Sequence, residues 1–336
     1  MVCVSSPLRS FDLKDMTFST RLKSMIINAC FTYCFLGCSG GRPPPLDPEH
    51  ASALDRSTPQ VSEQITPLLL KRLTEAQILL LGETHDHPQH HLIQAEVIKR
   101  LKPKTVAFEM VDSDQQATLN QLNQTPPSEW DQVLNWSKRG WPNFELYRPV
   151  FEAALSVGAR LIAAHPPLAT LAPLKLGGEL SSDLRQRLKL DIPLPQAQKE
   201  ALLEELQEAH CGHAPPSIAE AMLKAQRLKD AWMAELMLKV DHPSVLIVGR
   251  GHVNPHRGIP WAIENLSASE GKLKANAQPP KVHILSLSPT RPPHESSAED
   301  HHSHLLIAAH RKDDPCERFR EQLEQMRKRR QAQPTR

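Results

Sequence analysis

Four segments of the chain each end a short apolar run with an acidic or imidazole side chain. Carboxylates and imidazoles are the groups that proteins use to transfer protons and to bind metal ions. The side chains are Glu83 and His85 after the run 77–81, Glu109 after 105–108, His165 after 160–164, and His252 shortly after 244–248.

The four runs are rich in Val, Ile and Leu, which is typical of parallel strands that are buried on both faces. In an open parallel sheet the carboxyl ends of the strands lie on one side, and ligands bind there. We therefore expect Glu83, His85, Glu109 and His252 to meet in one crevice. His165 precedes two prolines, and a loop residue is the alternative interpretation of it.

Two chemistries are open to such a crevice. His85 could act as a general base toward water beside Glu83 and Glu109, as in a hydrolase. His85 and His252 could instead ligate a divalent metal, with carboxylate oxygens completing its coordination. For any one of these residues alone, a structural role such as pairing with Arg250 is the alternative.

The elements that would position these residues form an α/β fold with a central, mostly parallel sheet flanked by helices. A helix is predicted over 88–101, and the pattern is helical throughout 168–240. The second segment predicts a helical subdomain inserted before the fourth strand, as a lobe that caps one end of the sheet. The strands are predicted at 77–82, 105–109, 160–165, 244–249 and 281–287.

The N-terminal segment has the pattern of an export signal. Arg21 and Lys23 precede a short apolar core at 25–37, which is too short and too polar to span a membrane. Residues 35–38 resemble a bacterial lipobox, in which the cysteine, here Cys38, is diacylated; an ordinary signal or an uncleaved anchor is the alternative. We predict a signal peptide over 1–37, with Met16 as an alternative start, and a flexible tether over 38–62.

Composition narrows the class of protein further. A net charge of +2 and an aromatic content of 4% give no basis for nucleic-acid binding. The cysteines show neither a disulfide framework nor zinc spacing. We expect Cys211 and Cys316 to be free thiols, with a bridge between them as the alternative. Residues 291–336 are charged or rich in Pro, Ser and His, and are predicted to form a disordered tail.

An ordered set of short motifs resembles the ChaN family of haem-binding lipoproteins, within the wider Tiki, TraB and erythromycin-esterase superfamily. The resemblance covers 63–290 and implies a parallel α/β sheet with a smaller helical subdomain, haem binding for iron uptake, and often a dimer. The wider superfamily includes hydrolases with two Gly-x-x-His motifs, which 82–85 and 249–252 match. The motifs lie at 80–87, 107–110, 141–142, 147–149, 210–212, 225–230 and 248–253.

Haem would need an axial ligand and apolar surface. Tyr147 is the single tyrosine of the predicted mature chain, and it either ligates the iron or packs against the sheet with its hydroxyl hydrogen-bonded. His210 and His213 flank Cys211 and are alternative ligands, unless they form only a polar turn. Arg250 is a further candidate for haem binding, and a dense histidine cluster follows the first strand.

We therefore expect a cell-envelope protein, anchored by lipid at Cys38, that binds haem and takes part in haem or iron uptake. Ser39 follows the cysteine where Asp often retains lipoproteins at the inner membrane. This predicts the outer membrane, facing the periplasm. The alternative function is a hydrolase, metal-dependent or not, that uses the crevice.

Overall fold

A computed structural model describes residues 58–175, 177–212, 214–271, 279–290, 301–310, 316–317, 320–321 and 324–325 of the chain. The predicted signal peptide, Cys38 and most of the tether lie outside the described residues, and so does His213.

Six parallel strands form one sheet in the order β3-β2-β4-β1-β5-β6, and every pairing is parallel. This confirms the predicted fold class, and the first five strands lie at the five predicted positions. They are β1 (Ile78–Glu83), β2 (Thr105–Asp112), β3 (Arg160–His165), β4 (Ser244–Gly249), β5 (Val282–Ser288) and β6 (His302–Leu306).

Helices connect the strands and cover the sheet. In the part of the chain that the structure describes, none of them is long and apolar enough to span a membrane. They are α1 (Thr58–Gln64), α2 (Pro67–Thr74), α3 (Pro88–Leu101), α4 (Gln116–Leu119), α5 (Trp130–Val133), α6 (Phe144–Ser156), α7 (Leu168–Lys175), α8 (Ser182–Arg187), α9 (Gln196–Ala209), α10 (Pro216–Lys239) and α11 (Ile259–Gly271).

The sheet separates two hydrophobic cores, because successive side chains of a strand point to opposite faces. Leu79 and Leu81 of β1 pack into the first core, with α1 to α3, α5 and α6. Ile78 and Leu80 pack into the second core, with α7 to α11. In the first core the rings of Phe108 and Phe151 stack with centroids 4.1 Å apart. Burial on both faces explains why the strands appear in sequence as continuous apolar runs.

The segment inserted between β3 and β4 contains helices α7 to α10. Their buried side chains, such as Leu171 and Met233, share the second core with Ile162 and Leu246 of the sheet. The insertion therefore packs against a face of the sheet. The physical reason is the 24-residue α10, whose apolar side chains extend along most of its length and contact β3 and α11.

A sixth strand lies in the segment predicted to be a disordered tail. Residues His302–Leu306 pair in parallel with β5, with Ser286 opposite His304, and Ile307 is buried in the first core. The prediction of disorder is therefore wrong for 301–310. Burial of Ile307 and the backbone hydrogen bonds to β5 stabilise this segment, and neither can be predicted from its composition.

A disulfide bond joins Cys211 to Cys316. The expectation of two free thiols is therefore wrong, and the alternative, a bridge between them, is correct. Cys211 lies in the turn between α9 and α10, so the bond fastens the C-terminal part of the chain to the helical insertion.

Candidate functional site

The sheet register brings the predicted side chains to one edge. Strand β4 lies between β2 and β1, with Gly82 opposite Val248 and Glu83 opposite Gly249. Phe108, the residue before Glu109, lies opposite Ile247. The carboxyl ends of the three central strands are therefore adjacent, and the structure brings Glu83, His85, Glu109 and His252 together there.

Glu109 lies at the centre of this site and is almost fully buried. Its Oε1 is 3.1 Å from His252 Nε2 and 3.9 Å from Lys229 Nζ. Its Oε2 accepts the Gly249 N–H at 2.8 Å and is 3.8 Å from His85 Nε2. Burial acts to raise the pKa of Glu109, but the charge and hydrogen bond of His252 outweigh it and hold that pKa well below its usual range. Glu109 is therefore an anion at neutral pH.

His252 is held between two carboxylates. Its Nδ1 donates to Asp230 Oδ1 at 2.5 Å, and its Nε2 faces Glu109. Burial acts to lower the pKa of His252, but the charges of Glu109 and Asp230 outweigh it and raise that pKa to about 9. At neutral pH His252 is thus an imidazolium that stabilises Glu109, and both ring nitrogens carry protons.

Glu83 is the second buried carboxylate of the site. Its Oε1 accepts the Tyr147 hydroxyl and lies 2.9 Å from His85 Nδ1. Its Oε2 accepts the Gln94 amide at 2.5 Å and lies 3.3 Å from His91 Nδ1. Burial acts to raise the pKa of Glu83, but the neighbouring imidazoles outweigh it and hold that pKa below its usual range.

Tyr147 is fully buried in α6, with an exposed fraction of 0%. Its hydroxyl donates to Glu83 and lies 3.1 Å from His85 Nδ1. Burial and the charge of Glu83 raise the pKa of Tyr147 well above its usual value, so the side chain is a neutral phenol. Of the two interpretations that the sequence allows, this geometry supports packing with a hydrogen-bonded hydroxyl, and it does not present a tyrosinate to a ligand.

His85 is the part of the site that reaches the surface, with 24% of its side chain exposed. Its ring packs against Trp141 in an edge-type arrangement, with centroids 5.1 Å apart and an angle of 65° between the planes. Burial acts to lower the pKa of His85, but the hydrogen bond to Glu83 and the charge of Glu109 outweigh it and raise that pKa. A Cβ at position 249 would lie 2.8 Å from His85 Nε2, so Gly249 is what allows the ring this close to the strand.

The predicted divalent-metal site at His85 and His252 is not supported. Among the described residues, no group of three or more His, Cys, Asp or Glu side chains could hold a metal ion. The hydrogen bonds give the reason, because His252 uses both ring nitrogens for Asp230 and Glu109.

The remaining predicted residues are more dispersed. His210 follows the last residue of α9, is buried, and donates from Nδ1 to the Leu206 carbonyl at 2.7 Å. Arg250 is exposed in the turn after β4, at the same edge as the site. His165 is buried at the end of β3, with Nδ1 3.1 Å from Asp112 Oδ1. Burial, with the charge of Lys229, lowers the pKa of His165 to about 3.

Sequence reasoning missed the contribution of two helices to the site. Gln226, Lys229 and Asp230 come from α10, and Gln94 comes from α3. The spacing of Gln226 and Asp230 is i to i+4, which places both on one face of a helix. A signal was therefore present in the motif 225–230, but only tertiary packing shows that this face meets His252.

The fold and site define a class of protein: an α/β protein with an all-parallel sheet and a buried carboxylate–imidazole site at its carboxyl edge. The chain belongs to the ChaN family, because residues 69–263 match the family model described as haem-binding uptake, Tiki superfamily, ChaN. That match confirms the resemblance seen in the motifs. A search of curated proteins found no match.

One solved structure agrees with the fold. The chain is similar to ChaN of Campylobacter jejuni, with 19% identity, a TM-score of 0.50, and coverage of 65% of this chain and 84% of that one. More remote matches are the type III effector HopBA1, with 13% identity and a TM-score of 0.36, and an erythromycin esterase mutant, EreC, with 14% identity and a TM-score of 0.35. HopBA1 is matched over 70% of this chain and 90% of its own, and EreC over 68% and 75%.

Proposed function

We propose that this protein binds haem at the carboxyl edge of its sheet and serves haem or iron uptake. The observation that carries the proposal is membership of the haem-binding uptake family over residues 69–263. The ChaN of Campylobacter jejuni, with which the chain shares its fold, binds haem cofacially.

The residues at this edge fit a haem ligand through His85. A histidine that binds iron usually donates its other ring N–H to a carboxylate, which fixes the tautomer. His85 Nδ1 lies 2.9 Å from Glu83 Oε1, so a neutral His85 that is protonated on Nδ1 would carry its lone pair on Nε2, which lies 3.8 Å from Glu109 Oε2. Arg250, exposed at the same edge, could pair with a propionate. His85 would hold the iron, and haem would supply its redox-active centre.

A haemin titration tests this function. The chain from Ser39 onward should shift the Soret band and saturate at about one haemin per protomer, as one axial ligand per chain requires. The mass of the complex in solution tests the dimer that the family resemblance implies. Absence of a spectral change at micromolar haemin would remove the proposal.

The envelope location is part of the same proposal. It is supported by the apolar segment before Cys38 and by the Cys211–Cys316 bond, since disulfides persist in oxidising compartments. Acylation at Cys38 would place the protein on a membrane, with the outer membrane as the expected one. Labelling with palmitate should mark the protein, and Cys38→Ala should abolish the label and release the protein from the membrane fraction.

A hydrolase is the second candidate function, and one observation favours it. His85 is partly exposed and contacts a carboxylate on each side, which is the arrangement of a general base. His252 does not fit that role, because it is protonated and engaged at both nitrogens. Turnover of an ester or peptide that disappears in His85→Ala would establish this function, and a broad substrate panel without turnover would reject it.

A further inference from the structure

The amino edge of the sheet, opposite the site, is lined with exposed basic side chains. Lys104 precedes β2, Arg160 begins β3 and Lys281 precedes β5, and all three are exposed. Backbone hydrogen bonds tie these strand starts into one rim: Arg160 N donates to Lys104 O at 2.8 Å, and Gln77 N donates to Lys281 O at 2.9 Å. The three cations therefore lie along one side of the molecule.

Two helices add further cations to this basic rim. The last turn of α2 carries Lys71 and Arg72, which line a surface depression together with Lys281. The end of α3 adds Lys99 and Lys102, both exposed. The described part of this basic rim therefore has more positive than negative charge. It carries three exposed carboxylates (Glu63, Glu75 and Asp241) and seven exposed cations (Lys71, Arg72, Lys99, Lys102, Lys104, Arg160 and Lys281).

An apolar side chain lies within the same surface. Leu68 is 64% exposed in α2 and lines the depression beside Lys71 and Lys281. One exposed aliphatic side chain beside lysine and arginine adds an apolar contact with lipid to the attraction between the cations and anionic headgroups. Charge complementarity and this exposed leucine together favour an anionic bilayer over an acidic protein.

The last turn of α3 also contacts the end of α1. Arg100, in the last turn of α3, donates to the carbonyls of Ser62 at 3.0 Å and Ile65 at 2.9 Å. These bonds tie the end of α1 to the last turn of α3, which carries Lys99.

We propose that the basic rim is a membrane-contact surface for anionic phospholipid headgroups. It orients the protein so that the carboxyl-edge site faces away from the bilayer, separated from it by the length of the strands, roughly 20 Å for six residues. The inference does not depend on haem binding. Its binding partner is the negatively charged bilayer surface, which attracts clustered lysine and arginine residues.

Vesicle co-sedimentation tests the proposal with the chain from Ser39 onward, so that no acyl chain contributes. The probes are vesicles of phosphatidylglycerol mixed with phosphatidylethanolamine, and vesicles of phosphatidylcholine alone. Binding to the first should exceed binding to the second by about tenfold and weaken as salt is added, because salt screens exposed charges.

Two charge-matched variants locate the surface. Lys71→Glu/Lys104→Glu/Lys281→Glu should lose about tenfold in binding to the anionic vesicles. Lys138→Glu/Lys199→Glu/Lys224→Glu makes the same charge change away from the rim and should keep it. Equal losses in both variants, or equal binding to both kinds of vesicle, would overturn the proposal. An unchanged circular dichroism spectrum in both variants shows that a loss of vesicle binding is not due to misfolding. An unchanged haemin titration shows that the loss is independent of the haem proposal.

Discussion

Individual side chains in the site are arranged so that two buried carboxylates stay ionised. Glu109 accepts the Gly249 N–H and faces the His252 imidazolium, while Glu83 accepts the Tyr147 hydroxyl and the Gln94 amide. A buried anion is tolerated only when such donors surround it. His85, whose Nδ1 lies 2.9 Å from Glu83 Oε1, is the partly exposed imidazole of this network.

Stability should depend on pH through His252. Its pKa rises from 6.5 in the unfolded chain to about 9 in the folded one, so its contribution is complete below 6.5 and is lost as pH rises through 9. Urea unfolding between about pH 6 and about pH 10 should show this loss, and His252→Gln should show less of it. Identical pH profiles for the two proteins would contradict the assignment.

Two glycines, one at the end of β4 and one in the turn after it, give a matched test of how closely the His85 ring packs against β4. A Cβ at Gly249 would lie 2.8 Å from His85 Nε2, whereas the nearest atom to a Cβ at Gly251 is 3.9 Å away. Gly249→Ala should displace the imidazole and weaken haemin binding about tenfold, since overpacking costs about 1–3 kcal/mol. Gly251→Ala should bind as the unchanged protein does. Equal affinities in the titration of both variants would show that His85 is not the group that haem contacts.

At the scale of elements, the sequence predicts what depends on local pattern. The buried strands are visible as Val-, Ile- and Leu-rich runs, and parallel pairing then places Glu83, Glu109 and His252 at one edge. The role of Asp230 cannot be predicted from local pattern, because it depends on how α10 packs against the turn after β4. The β6 segment lacks a sustained apolar run, so its place beside β5 follows from tertiary contacts.

Neighbouring residues at the end of β6 test whether this strand is docked. Ile307 is 2% exposed in the first core, and Leu306 is 63% exposed. Ile307→Ala should lower the free energy of unfolding by about 2–5 kcal/mol, as truncation of a buried isoleucine does. Leu306→Ala should change it by less than about 0.5 kcal/mol. Urea denaturation measures both, and a small effect of Ile307→Ala would mean that the segment is not part of the core.

At the scale of the whole molecule, opposite edges of one sheet carry different surfaces. The carboxyl edge holds the carboxylate–imidazole site, and the amino edge carries the basic rim. The Cys211–Cys316 bond adds a covalent link between the helical insertion and the C-terminal part of the chain, across 105 residues. Sequence could not choose this pairing, because it depends on distance in the folded chain.

Reduction of that disulfide should destabilise the whole fold. Closing a loop of this length stabilises a protein by about 4–5 kcal/mol in the chain-entropy description. A reductant should therefore lower the melting temperature of the unchanged protein, while Cys211→Ser/Cys316→Ser should melt at the lower temperature with or without it. Calorimetry with a thiol assay checks this, and two free thiols in the oxidised protein would contradict it.

The central claim, that haem is held at the carboxyl edge through His85, is tested most directly by imidazole rescue. His85→Gly should lose the Soret shift and the electron paramagnetic resonance signature of histidine ligation, and added imidazole should restore them. Tyr147→Phe and His210→Ala should retain the signature without imidazole. A signature that survives in His85→Gly and disappears in Tyr147→Phe or His210→Ala would contradict the account.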